Sequence, residues 1–335
     1  MKKIVADYLS NLEMGPVQNH KNMTMIPLLL PESAIREIDI LLLDEAVDRG
    51  LLVITEIDEA GSVPELKADN LSDKKILILD GEELVGAKQN RIVNTTILLP
   101  PKESIIIPVS CVEQGRWHQK TEQFNTEKRL SPSKMRQKKS SSVLHSLSIF
   151  GDFSSNQSEI WEDVRERIET TGIKSETMEM ASFFRDNQDR LKKYQQGFQF
   201  VEGQTGAIFG LDGNAAGIEC LCSPDIFKAI MPKLIESYAA DAMISNDSKK
   251  VVPMSLKEAE SFLDMAKDAP CKVNSSVGLG KDIRISSRKV IGHALVHDQL
   301  IYHLSLFRKE EEGNNGSGRS KGRMQSMRSR RIRLI

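Results

Sequence analysis

The chain has 335 residues, 39% hydrophobic and 28% charged, with a formal net charge of −1. That is ordinary globular composition, long enough to bury a sizeable core without disulfides or a structural metal. No apolar run approaches the ~20 residues that a membrane helix requires, and the N-terminal stretch acquires Asp7 and Glu13 where a secretory signal would stay apolar. Four cysteines without framework spacing (Cys111, Cys220, Cys222, Cys271) fit a reducing compartment, so the expected setting is cytoplasmic.

Residues 20–118 read as mostly strand. The runs MTMIPLLL, LLVITEI, KILILD, RIVNTTILL and SIIIPVSCV are short, apolar or alternating, and rich in Ile, Val and Thr. Turn residues separate them at 58–61, Ser72-Asp73, Asp80-Gly81 and Pro100-Pro101, and a short helix is expected over Leu43–Asp48, ended by Gly50. Strands this close, without long helices between them, predict antiparallel pairing in a sandwich- or barrel-like sheet. Residues 119–142 are polar, contain Pro132, and read as an exposed loop or arm.

Residues 143–312 read as helices and hairpins sharing one core with the first region. Asn156 with Glu159, Ser223 with Pro224, and Ser255 with Glu258 are helix N-terminal signals. TGAIFGLDGNAAGIECLC predicts a hairpin turning at Asp212-Gly213, and KDIRISS, KVIGHALVH and LIYHLSLF form a second, C-terminal strand cluster. The fold class expected is therefore α+β: an antiparallel β-rich sheet with helices packed on it. Residues 313–335 hold seven Lys/Arg and no acid, leaving 39 basic against 47 acidic residues in the rest, a formal −8. A basic, low-complexity tail on an acidic body predicts disorder there, and nucleic-acid contact only through that tail.

Chemistry-bearing residues crowd between the strands of 81–118. Glu82 and Glu83 follow KILILD; Gln89, Asn90 and Arg91 lead into the next strand, which carries Asn94; Glu113, Gln114, Arg116 and Trp117 follow the strand after that. Strand ends and the loops joining them are where scaffolds mount binding groups. On a regular strand Glu113 continues the apolar face of Ile105, Ile107, Val109 and Cys111, which calls for a cationic partner, Arg91 or Arg116. Arginine's planar fork also suits phosphate oxygens.

The runs LDEAVDRGLLVITEI, GSVPEL, GEELVGAKQNRIVNTTILLPP and IPVSCVEQGRW together resemble the family named for its association with ADP-ribosylglycohydrolases and rhodanese/phosphatase-superfamily proteins. The resemblance is most specific from Met25 to Trp117 and continues more weakly to the VHDQLIYHLSLF end. It implies a role around NAD-derived nucleotides such as ADP-ribose, through an association between genes. The expectation is a ligand-handling protein, in one reading a hydrolase with Glu82 or Glu113 as acid/base. Arg91 and Arg116 would bind phosphates, Gln89, Asn90, Asn94 and Gln114 would orient the ligand, and Trp117 would stack on a base. The alternative is a non-catalytic sensor or adaptor that binds such a ligand or a partner protein.

Plainer readings stand beside these. Glu83 alone fits a solvated turn, Gln89 and Asn90 a local hydrogen-bond network, and Cys111 inert packing. Cys220 and Cys222 alternate to one face without a second ligand pair. His293 and His297 share a face, while a two-residue turn at Asp298-Gln299 would put His303 on the opposite one. Tetrahedral zinc needs three or four convergent ligands, so no metal is expected. The glycines of GFQFVEGQTGAIFG match no nucleotide-binding fingerprint, and no cofactor is expected.

Overall fold

A computed structural model describes residues 2–58, 61–245 and 251–309; the basic tail lies outside the described residues. The architecture is α+β, with two sheet systems set against each other.

The larger sheet has nine strands, all paired antiparallel. Its centre runs Met23–Leu29, Gln204–Leu211, Asn214–Leu221, Leu300–Arg308, Val290–His297, Lys281–Ser286. Alternation along these central strands gives two buried faces. Ile208, Ile218, Ile283, Ala294 and Leu304 pack with the helices Lys2–Ser10 and Leu256–Lys267. Phe209, Leu221, Ile291 and Phe307 point the other way, toward the helix Pro224–Ala242. Each helix start follows a local rule: Ser223 and Ser255 accept the backbone N–H groups of Ile226 and Glu258, and Asn156 accepts that of Ser158. The Asp212-Gly213 turn joins two of the central strands as expected, with both residues at positive φ.

The smaller system curls around its own apolar core. Six strands run Phe124–Leu130, Glu82–Gly86, Arg91–Val93, Ser104–Cys111, Glu65–Asn70, Leu52–Thr55. Three more, Ile97–Leu99, Lys75–Ile78 and Ile40–Leu42, close one side, the last pair parallel. Leu66, Ile76, Leu84, Val93, Ile97 and Val109 fill the space between. The helix Leu43–Asp48 ends at Gly50, whose φ of +64° favours glycine.

Several expectations are corrected. Met23–Leu29 belongs to the C-terminal sheet rather than with the other early strands, and the core between the two systems mixes Met23, Leu77 and Ile92 with Phe183, Phe227 and Tyr302. RIVNTTILL is two strands, broken at Asn94-Thr95-Thr96, whose side chains bond elsewhere. Residues 119–142 are not a loop: Phe124–Leu130 pairs with Glu82–Gly86, and Ser133–Ile149 is a helix. That helix hides from hydrophobic patterning because its buried face includes Arg136 and Lys139, which the sheets satisfy with charge instead of apolar contact.

Candidate functional site

The strand Ser104–Cys111 ends, and the chain turns back so that Glu113 bridges Glu179 and the Gly115 N–H donates to Thr177 O at 2.8 Å. Arg116 then folds inward. Its Nε donates to Glu113 Oε1 at 2.8 Å, and Nη2 lies 2.7 Å from Oε2. Nη1 donates to Ala87 O (2.6 Å) and His118 O (3.0 Å); Nη2 also reaches Gly86 O and Asn90 Oδ1. The Asn90 backbone N–H donates to Glu113 Oε2 at 3.1 Å. Burial alone would raise the Glu113 carboxyl, but Arg116 and the Asn90 N–H outweigh it and hold it below its ordinary value. Of the two partners open for Glu113, the fold selects Arg116. Both ends of this bidentate pair are spent on pinning residues 86–90, with no nitrogen of Arg116 left for a ligand.

Arg91 differs. It is fully buried on the same strand face as Leu84, Val93 and Cys111. Nη1 donates to Gln89 Oε1 at 3.2 Å; Nη2 is 3.9 Å from a Glu56 oxygen, beyond hydrogen-bond range. Nε and Nη2 make no hydrogen bond. Above the guanidinium sits the Trp117 indole, centred 5.8 Å away and itself 47% exposed, with Lys88 Nζ at 5.7 Å from the same ring. Burial lowers the Arg91 pKa from its ordinary value, and burial pushes the neighbouring Cys111 thiol up to about 11, the behaviour of packing rather than of a nucleophile.

The two glutamates of the GEE run separate. Glu82 pairs with Lys233 Nζ at 2.6 Å and accepts the Leu79 N–H at 2.8 Å, while Lys233 also holds Asp44 at 2.6 Å. Glu83 faces the opposite core, fully buried rather than in a solvated turn. Neither oxygen is hydrogen-bonded, and the nearest cation is Arg129 Nε at 3.7 Å. Burial, against the pull of Arg129, pushes its carboxyl up to about 8. Asn94 donates to Phe153 O at 3.1 Å and accepts from Ser110 at 2.7 Å; Gln114 is exposed and meets Arg165 at 3.3 Å. The structure thus gathers Gln89, Asn90, Arg91, Glu113, Arg116 and Trp117 around one rim, and places Glu82, Asn94 and Gln114 in other contacts.

A polar layer between the two sheet systems escaped sequence reasoning. Thr96 Oγ1 accepts the Asp80 N–H (3.1 Å) and meets His303 Nδ1 at 2.6 Å and His293 Nε2 at 3.2 Å. Around it stand three buried pairs: Arg136 with Glu219 (2.8 Å), Lys139 with Asp80 (2.7 Å), and Arg284 with Asp282 (2.7 Å). The expected placement of His303 is overturned. A β-bulge between the Leu295 and Val296 pairings makes Tyr302 the extra residue, which returns His303 to the His293 face, the rings 5.7 Å apart. No sequence signal marked that bulge. Among the described residues, no group of three or more His, Cys, Asp or Glu is arranged to hold a metal ion, and no helix is long and apolar enough to cross a membrane.

The sequence profile of the ARG and Rhodanese-Phosphatase-superfamily-associated Protein domain matches residues 11–307. The chain belongs to that family. The family match spans the Glu113–Arg116 pair, Arg91 and the whole Thr96 layer, so both polar centres belong to the ARG and Rhodanese-Phosphatase-superfamily-associated Protein domain itself. No curated protein and no solved structure matches the chain.

Proposed function

We propose that the chain is a ligand-handling domain that binds a nucleotide or ADP-ribose-type molecule at the rim where Arg91 meets Trp117. One observation carries this reading: a fully buried guanidinium with two nitrogens lacking hydrogen bonds, beneath a half-exposed indole. Leaving such donors unmade is costly, and a phosphate oxygen supplies the missing acceptor. The indole, moving off the guanidinium, provides the stacking face for a base. Gln89 steers the fork, and the Glu113–Arg116 pair, with Asn90, holds the loop that carries Gln89 and Arg91. The association in the family's description with ARG and rhodanese–phosphatase proteins fits a ligand of this class.

Binding is favoured over turnover at this rim. The oxygens of Glu82 are engaged by Lys233 and Leu79, and those of Glu113 by Arg116 and Asn90, so neither is free to move a proton. The test is calorimetry of the full chain with ADP-ribose, NAD and mononucleotides, with product analysis alongside. The expected result is binding without conversion, lost in Arg91→Ala. Conversion that disappears in Glu113→Gln would restore the hydrolase reading, and no binding of any of these ligands would remove both.

A further inference from the structure

Between the end of the strand Met23–Leu29 and the start of the helix Pro224–Ala242 lies a groove of about 1290 Å³. Its floor is apolar: Leu29, Leu30, Ile35, Ile38, Phe200 and Ile226 line it, all but Ile226 only half-buried. Apolar surface left open in this way marks a place where another group packs. The rim is acidic. Glu13, Glu32, Glu37, Glu202 and Asp225 are all exposed, and among the described residues none of them is in an ion pair. Against these five stand Arg36 and Lys228, and the Lys228 ammonium sits 5.4 Å over the Phe200 ring.

Charge sets this groove apart. The smaller cavities beside Ser133, Asn187, Lys281 and Arg129 each hold at least as many Lys and Arg as Asp and Glu. An occupant that suits an apolar floor under an acidic rim is a peptide that brings cationic and aliphatic side chains together.

This chain carries such a segment. Residues 328–335, RSRRIRLI, hold Arg328, Arg330, Arg331 and Arg333 with Ile332, Leu334 and Ile335, and no acid. They lie beyond the family match at 11–307 and outside the described residues. Reach is no obstacle. Leu221 pairs with His303, so the groove beyond Ser223 is at the end of the sheet opposite Lys309, roughly 20–30 Å away at about 3.4 Å per strand residue. The ~19 residues from Lys309 to Arg328 include the run GNNGSG; a linker of that length and composition has an r.m.s. span on the order of 22–26 Å and a limit of ~65 Å.

We propose that residues 328–335 of this chain dock into the groove between Leu29 and Ile226, with their aliphatic side chains on its floor and their arginines among Glu37, Glu202 and Asp225. Extended, the segment places Ile332 and Leu334 on one side and Arg331 and Arg333 on the other, the division that floor and rim require. Exposed ion pairs are individually weak, and tethering supplies what they lack. At an effective concentration of about 1 mM, a segment that binds with a Kd of about 0.1 mM as a free peptide is docked about tenfold over undocked. Docked, the arginines are neutralised by the chain's own carboxylates, which withholds them from any other acidic surface.

The test uses the full chain with a benzophenone photo-cross-linker in place of the Leu334 side chain, as a mixture of isotopically light and heavy copies. Illumination should join position 334 to residues 29–38, 200–203 or 223–228 within one copy. Trypsin reads the same contact without the cross-linker. Cleavage after Arg328 follows the undocked fraction, so in the parent it should be about tenfold slower than in Ile332→Ser/Leu334→Ser, each rate being corrected by the free peptide 319–335 of the same sequence. The groove variant Glu37→Gln/Glu202→Gln/Asp225→Asn should recover most of the faster rate, since three exposed pairs are together worth about tenfold. All three carboxylates are exposed, so these changes spare the core. Cross-links to another surface, no cross-link, a tail variant cleaved no faster than the parent, or a groove variant cleaved like the parent overturns the proposal. Cross-links only between light and heavy copies overturn it too, and assign the groove to the tail of a second copy.

Discussion

Glu82 and Glu83 are adjacent in the chain and face opposite sides of one strand: Glu82 is locked to Lys233 at 2.6 Å, and Glu83 is sealed in the other core with both oxygens unbonded. The same residue type therefore serves as an ion-pair partner and as a buried acid, a division set by strand alternation.

Glu83 makes stability depend on pH. Its folded carboxyl titrates at about 8 against an ordinary 4.5, so the folded state holds the proton through that window and unfolding releases it. Stability contributed by this group is present below the lower value and is lost as pH rises through the upper one. Glu83→Gln keeps the shape without the titration, and should gain on the parent by a few kcal/mol between mildly acidic and mildly alkaline solution. Urea denaturation at both ends measures the difference; a gap that stays constant with pH contradicts the assignment.

The Glu113–Arg116 pair should behave as a structural clasp. Glu113→Ala leaves Arg116 buried without its countercharge and should cost about 3–5 kcal/mol, whereas Glu113→Gln, which keeps an acceptor, should cost less. Replacing both residues with apolar side chains should recover part of the loss. Chemical denaturation of the three variants checks the order, and near-equal stability of Glu113→Ala and the parent would show that the clasp does not hold residues 86–90.

Arg91 should separate binding from stability. Its guanidinium donates to Gln89, and Nε and Nη2 make no hydrogen bond, so Arg91→Met removes an under-satisfied charge and should leave stability within about 1 kcal/mol of the parent, or above it. Nucleotide binding should be lost. Denaturation paired with calorimetry reads both, and a variant that unfolds while its residual folded fraction still binds would reverse the assignment.

Thr96 ties a backbone N–H and two imidazoles to one hydroxyl. Thr96→Val keeps the volume and strips all three contacts, costing about 1–3 kcal/mol for the buried groups left unmade, while Thr96→Ser should cost much less. The ring proton spectra of His293 and His303 should change together in Thr96→Val; independent behaviour of the two rings would mean that the hydroxyl does not link them.

Much of the secondary structure was legible because it rests on neighbours a few residues apart. Asn156, Ser223 with Pro224, and Ser255 start their helices, Gly50 follows the short one, and Asp212-Gly213 turns its hairpin, each from local backbone chemistry. The rim at Gln89, Asn90, Arg91, Glu113, Arg116 and Trp117 was readable as a group of polar residues at strand ends, and the need of Glu113 for a cation followed from alternation alone.

What the sequence could not decide was which polar residues are buried, and against what. Arg136 reads as part of an exposed loop or arm until Glu219, 83 positions away, closes on it; Thr96 reads as one more strand residue until His303, 207 positions away, reaches its hydroxyl. A single extra residue at Tyr302 moves His303 from one face of its sheet to the other. Periodicity and capping depend on local geometry, which the sequence carries directly. The partner of a buried charge depends on how two sheets come together, and only the folded chain settles that.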